Sequence, residues 1–142
     1  MAQRRTPGDS QVMPPGPAAL HVFLADDSAL ICLRVAAALT DAGLLVVGQA
    51  ATPDTCIHGI LQTQPDAVVL DVRLQGGSGL QVMRAVRPAA PQIAFVVFSN
   101  NASDVYRRRY LREGASAFLE KSLDLERLAE TVTLAARDAA SH

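Results

Sequence analysis

Four short apolar runs, each stopping on a polar residue, constrain the fold of this 142-residue chain more than any other feature. They are His21 to Ala25 leading into Asp26-Asp27, Ala67 to Leu70 into Asp71, Ile93 to Phe98 into Ser99, and Phe118-Leu119-Glu120 into Lys121. Runs of about four to eight residues rich in Val, Ile and Phe read as strands buried on both faces. Such strands belong to a parallel sheet sandwiched between helices, with a ligand crevice just beyond their carboxyl ends. Three carboxylates, a hydroxyl and an amine are thereby expected along one sheet edge.

The segments between the runs carry helical patterns. Ser28 reads as an N-cap, followed by Ile31, Val35, Ala38, Leu39 and Ala42 at helical spacing, with Gly43 closing the helix. Leu44 to Gly48 reads as a strand. Thr52-Pro53-Asp54 opens a helix reaching about Gln64, with proline at a tolerated early position. After Asp71, a loop from Val72 to Ser78 precedes a third helix, expected to stop before Pro88. A fourth helix runs from about Asp104 to Glu113, ahead of Gly114. A fifth follows Asp124, with Leu125, Leu128 and Val132 on one face. The order is βα repeated five times, which predicts an α/β fold with a doubly wound, five-stranded parallel sheet.

Residues 1–19 hold four of the eight prolines and two glycines without apolar periodicity, and are expected to be a disordered tail. The globule is expected over 20–138, with a short tail over 139–142. At 49% apolar and 4% aromatic residues, its core must be mainly aliphatic. A formal net charge of −1 gives no general reason to bind nucleic acid or an anionic membrane. Cys32 and Cys56 fall in expected helices and read as free, buried thiols. No apolar stretch is long enough to span a bilayer, and residues 1–5 lack a signal peptide's apolar region, so a cytoplasmic location is expected.

Three carboxylates in one crevice repel one another and call for a cation. Oxygen ligands favour a hard ion, and Mg²⁺ typically takes one or two carboxylates together with water and a phosphate oxygen. Adjacent acids on an extended segment point in different directions, so Asp26 and Asp27 are expected to ligate differently, one directly and one through water. Alone, the pair reads equally well as helix-start charge. Asp71 closes the most hydrophobic strand, where an unpaired carboxylate has no structural use. It can act as a nucleophile toward a phosphoryl group. Such transfer depends on placement and charge neutralisation. Lys121 can supply a point charge, and Ser99 a hydroxyl hydrogen bond.

In their order, these residues resemble the receiver domain of bacterial two-component response regulators, from about Leu20 to Asp138. The resemblance rests on Asp26-Asp27 after the first strand, Asp71 after the third, Ser99 after the fourth and Lys121 after the fifth. It extends to Phe118 three before the lysine, Gly79 eight after Asp71, and Gly114-Ala115. It implies that Asp71 accepts phosphate, with Mg²⁺, from a sensor histidine kinase or histidine phosphotransfer protein. Asp26, Asp27, Asp71 and the backbone carbonyl of Arg73 would be the metal ligands. It further implies that phosphorylation draws Ser99 toward the phosphoryl group and turns Phe118 inward. The surface of the fourth helix, last strand and last helix would then change for an unknown downstream protein. The expected activity is that of a switch catalysing only its own phosphorylation and dephosphorylation.

Several positions depart from the family pattern. Gln75 replaces a usual proline, so Gln75-Gly76-Gly77-Ser78 is expected to be a looser loop. Ser122 stands where a cis proline is common. A cis bond to a non-proline residue costs about 3 kcal/mol, so a trans bond is expected. Asn100 is larger than usual and is expected to narrow access to Asp71. Arg73 and Asn101 occupy the positions that tune phosphate lifetime in receivers. Arg108 and Arg112, one turn apart, read either as a solvated helix face or as a docking patch for an acidic partner.

The chain ends soon after the last helix, so a single-domain regulator or phosphorelay intermediate is expected. A receiver cut from a transcriptional regulator and a phosphorylation-independent interaction module are the alternatives. A phosphatase with an Asp nucleophile would carry Asp-x-Asp after the first strand, and a nucleotide-binding enzyme a glycine-rich loop there. This chain has neither.

Overall fold

A computed structural model describes residues 19–141. The expectation of a disordered tail falls, apart from Ala19, outside the described residues. Five parallel strands make the main sheet: β1 (His21–Ala25), β2 (Leu45–Ala50), β3 (Ala67–Leu70), β6 (Ala94–Ser99) and β7 (Ala117–Glu120). Their order across it is β2-β1-β3-β6-β7. Between and after them run α1 (Ala29–Asp41), α2 (Pro53–Thr63), α3 (Gly79–Ala89), α4 (Asp104–Arg112) and α5 (Leu125–Ala140). The expected doubly wound fold is thus the one observed. The last helix continues to Ala140, past the expected end of the globule.

Side chains alternate between two cores, as a two-residue strand period requires. Val22, Leu24, Val69, Val96 and Phe98 pack with Cys32, Val35 and Leu39 of α1 and Leu128 and Val132 of α5. Phe23, Ala25, Val68, Leu70, Phe95 and Val97 face the other way, onto Cys56 and Ile60 of α2, Val82 and Met83 of α3, and Tyr110 of α4. Both cysteines are free and buried, as expected. The starts of α1 and α2 are held by side chains. Ser28 accepts from the Ile31 amide at 3.2 Å, and Thr52 and Thr55 cap α2 reciprocally.

Two expectations need correction. The segment after Asp71 is no loose loop. Its residues β4 (Arg73–Leu74) and β5 (Gly77–Ser78) form a small antiparallel hairpin. Gly76 adopts φ +79° in the intervening turn, and the Gln75 amide donates to the Ala51 carbonyl at 2.8 Å. Glycine conformation and one tertiary hydrogen bond here replace the stiffness a proline would supply. The second correction concerns α3, which does not stop before Pro88 but includes it. In the last turn, proline forfeits only one backbone bond, and the Ala90 amide still reaches the Val86 carbonyl at 2.8 Å.

Candidate functional site

The parallel register carries the ends of β1, β3, β6 and β7 to one edge, which brings the expected residues together. Asp71 lies just beyond β3 with its amide donating to the Ala25 carbonyl at 2.9 Å. Lys121 lies just beyond β7, its amide donating to the Ser99 carbonyl at 3.1 Å. From there its ammonium bridges Asp26 Oδ2 at 2.7 Å and Asp71 Oδ2 at 2.8 Å. The buried Ser99 hydroxyl donates to Asp71 Oδ1 at 2.6 Å, and accepts from the Asn101 amide at 3.1 Å. Each carboxylate oxygen of Asp71 therefore already has a donor. Asp26 Oδ1 accepts from the Ser28 amide at 2.9 Å.

Asp26, Asp27 and Asp71 each offer a carboxylate oxygen within 4.8 Å of the others. Asp26 and Asp71 are buried and Asp27 is exposed, so the adjacent acids do point differently. A compact set of hard oxygen donors suits a divalent cation of the Mg²⁺ kind. Burial pushes the Asp26 carboxyl above its ordinary value, with hydrogen bonds from Lys121 and Ser28 working against that rise. For Lys121, burial acts to lower the ammonium, but its hydrogen bonds and charge interactions with Asp26 and Asp71 outweigh it and raise the value. The ammonium is the charge that keeps both buried acids tolerable.

Gly79 shapes the site through close approach. A Cβ at this position would run into the Asp71 carbonyl oxygen and the Leu70 side chain. Backbone cannot yield as a side-chain end can, so Gly79→Ala is expected to cost about 2–3 kcal/mol. A fall in the denaturation midpoint checks it, and an unchanged midpoint would contradict the close approach.

Other expected residues are placed as follows. Phe118 is buried, at 5% exposure, and the Ser99 hydroxyl is hydrogen-bonded to Asp71. Asn100 is exposed beyond β6, and Arg73 is exposed on the hairpin. No cis peptide bond occurs among the described residues, so Lys121–Ser122 is trans, as expected. Asp124 stabilises the turn after Lys121, accepting from the Glu120 amide at 2.8 Å. Arg108 and Arg112 are exposed on α4, and with Val105 and Arg109 they line a surface depression of about 250 Å³.

Two residues escaped the sequence reading. Tyr110 is buried beneath α4, and burial pushes its phenol up to about 12. Its ring meets Phe118 edge-on, with centroids 6.1 Å apart. Arg107 stands 5.0 Å from the Phe118 ring centroid and donates to the Phe118 carbonyl at 2.8 Å. The only sequence signal for either was aromatic residues interspersed in an arginine-rich helix, which does not say which side faces inward.

A family model for the response regulator receiver domain matches residues 22–133. The chain belongs to that family. Among curated proteins, the response regulator GacA of Pseudomonas aeruginosa is 30% identical over 114 residues, 80% of this chain and 53% of GacA. The DNA-binding transcriptional activator DevR/DosR of Mycobacterium tuberculosis is also 30% identical over 114 residues, 80% of this chain and 52% of that protein. This receiver chain therefore spans about half the length of the curated relatives it matches. Among solved structures, the signal receiver domain of the response regulator NarL from Mycobacterium tuberculosis superposes with a TM-score of 0.79 at 28% identity. That match covers 85% of this chain and 98% of the other. The receiver fold and a signalling-switch role follow. None of the receiver's helices among the described residues is long and apolar enough to cross a membrane.

Proposed function

We propose that Asp71 is the phosphoacceptor of this receiver domain, loaded from a phosphohistidine on a sensor histidine kinase or histidine phosphotransfer protein. The observation that carries this is the set of contacts on one buried carboxylate: Ser99 on Oδ1 and Lys121 on Oδ2, with Asp26 and Asp27 beside it. In the transfer, a carboxylate oxygen of Asp71 attacks phosphorus. The phosphorus–nitrogen bond breaks, and its electron pair leaves with the imidazole. Lys121 and Ser99 are placed to hold phosphoryl oxygens as they hold the carboxylate oxygens now. Asp26, Asp27, Asp71 and the Arg73 carbonyl are the proposed ligands for Mg²⁺, which when bound would neutralise charge on the phosphoryl oxygens.

Ser99 and Phe118 are the proposed reporters of phosphorylation, acting on α4, β7 and α5, where a downstream protein docks. Arg108 and Arg112 are candidate contacts for an acidic partner on that face. The proposed setting is cytoplasmic, with no direct nucleic-acid contact from this domain. DevR/DosR is named as DNA-binding, and an attached output region in a longer chain is compatible with this reading.

The test is incubation with acetyl phosphate and Mg²⁺, followed by intact-mass measurement. The parent is expected to gain one phosphoryl group, and to gain none when the cation is chelated. An unchanged parent mass with Mg²⁺ present would favour the phosphorylation-independent module instead. Once loaded, Arg73→Ala and Asn101→Ala are expected to shift the phosphoryl half-life away from the parent's. Three equal half-lives would discard their lifetime-tuning role.

A further inference from the structure

We propose that Tyr110 is a positioning residue that ties α4 directly to the phosphoacceptor loop, by a route separate from Ser99. The proposal rests on Asp71 being the phosphoacceptor.

The Tyr110 hydroxyl makes two hydrogen bonds, both to backbone. It donates to the Val72 carbonyl at 3.3 Å and accepts from the Leu80 amide at 3.1 Å. Val72 directly follows Asp71, and its carbonyl also accepts from the Gly79 amide at 2.9 Å. Leu80 lies in the first turn of α3, where backbone N–H groups have no acceptor within the helix. One hydroxyl on α4 thus bonds to both sides of the β4–β5 hairpin, at the residue after Asp71 and at the start of α3.

Packing alone does not account for a tyrosine here. At 1% exposure the ring fills core space that phenylalanine would fill as well, and an unsatisfied buried hydroxyl would be costly. With its phenol pushed up to about 12, the residue keeps its proton at neutral pH and remains a donor to Val72. The same ring presses edge-on against Phe118, while Arg107, three residues earlier on α4, covers Phe118 and bonds its carbonyl. α4 therefore grips the aromatic ring and the phosphoacceptor loop together. A displacement of the Val72 peptide, when charge and bulk are added at Asp71, must either break the Tyr110 bonds or carry α4 with it.

Tyr110→Phe removes the hydroxyl and keeps the ring. The full chain and this variant are each treated with acetyl phosphate and Mg²⁺, their loading is read by intact mass, and hydrogen exchange is followed by mass spectrometry. The variant is expected to load as the parent does. Its loading-induced change in exchange across 104–112 is expected to fall to less than half of the parent's. A parental α4 response in the loaded variant would overturn the proposal. A second measurement needs no phosphate. In the unloaded variant, exchange at the Leu80 amide should rise about fivefold, the loss expected for one modest hydrogen bond. Unchanged protection there would also overturn it. Failure of the parent itself to load would instead count against Asp71 as phosphoacceptor, and shows separately in the mass of the parent.

Discussion

Asp71→Asn is expected to remain at its unmodified mass under acetyl phosphate and Mg²⁺ conditions that load the parent to a single phosphoryl group. The substitution is close to isosteric, and the amide oxygen can still accept from the Ser99 hydroxyl that now lies 2.6 Å from Oδ1. Lys121 keeps its contact with Asp26 at 2.7 Å, so the ammonium does not become a lone buried charge. The variant should therefore keep the helical signal and cooperative melt of the parent. What it lacks is the anionic oxygen proposed to attack phosphorus, since an amide oxygen is a poor nucleophile and cannot form an acyl phosphate. Loss of labelling with the fold intact would assign the chemistry to this one atom pair. Labelling at the parental level would show that another residue takes the phosphate.

Lys121→Met is expected to lower stability by about 3 kcal/mol near neutral pH without divalent cation, because it strands two buried carboxylates that shared one ammonium. The side chains of Lys121, Asp26 and Asp71 are each less than 10% exposed, so water cannot take over that role. Denaturant midpoints with and without Mg²⁺ measure the effect. Partial recovery is expected with the cation, and again with Asp26→Asn as a second substitution. The pH dependence has a definite sign. The raised Lys121 value means that its contribution is present below the ordinary lysine range and is lost as pH climbs through the raised value. The parent should weaken in alkali by this route, and Lys121→Met should not. Asp26 is raised by burial, the reverse of the usual direction for a paired carboxyl, so its pH dependence runs in the same direction as that of Lys121. Its protonated form suits the native state, so the methionine variant should gain stability as pH falls through the raised Asp26 value. Equal midpoints for parent and variant at neutral pH would show that the ammonium is not what makes the acid pair tolerable.

Much of the site was legible because each of its residues terminates a strand. Asp26, Asp71, Ser99 and Lys121 stand where an apolar run stops, and parallel pairing carries all such ends to one edge. The hairpin after Asp71 was not legible, because strands of two residues have no period to read. Pro88 misled for a related reason. Its helix-breaking effect depends on how many backbone bonds lie beyond it, and here the helix is already ending. Tyr110 was missed because the side of α4 that faces inward depends on the neighbouring β7 and hairpin.

By itself, the sequence determined the five-strand alternation, the doubly wound architecture, and the order of polar residues along one sheet edge. All of these follow from local periodicity and from where apolar runs end. Only the tertiary structure decided which partners meet: Lys121 with Asp26 as well as Asp71, Ser99 on Asp71, and Tyr110 on the Val72 carbonyl. Lys121 and Asp71 are separated by 50 positions, and Tyr110 and Val72 by 38. Contacts across such distances depend on the packing angle of whole helices and the register of whole strands, which no single stretch of residues encodes.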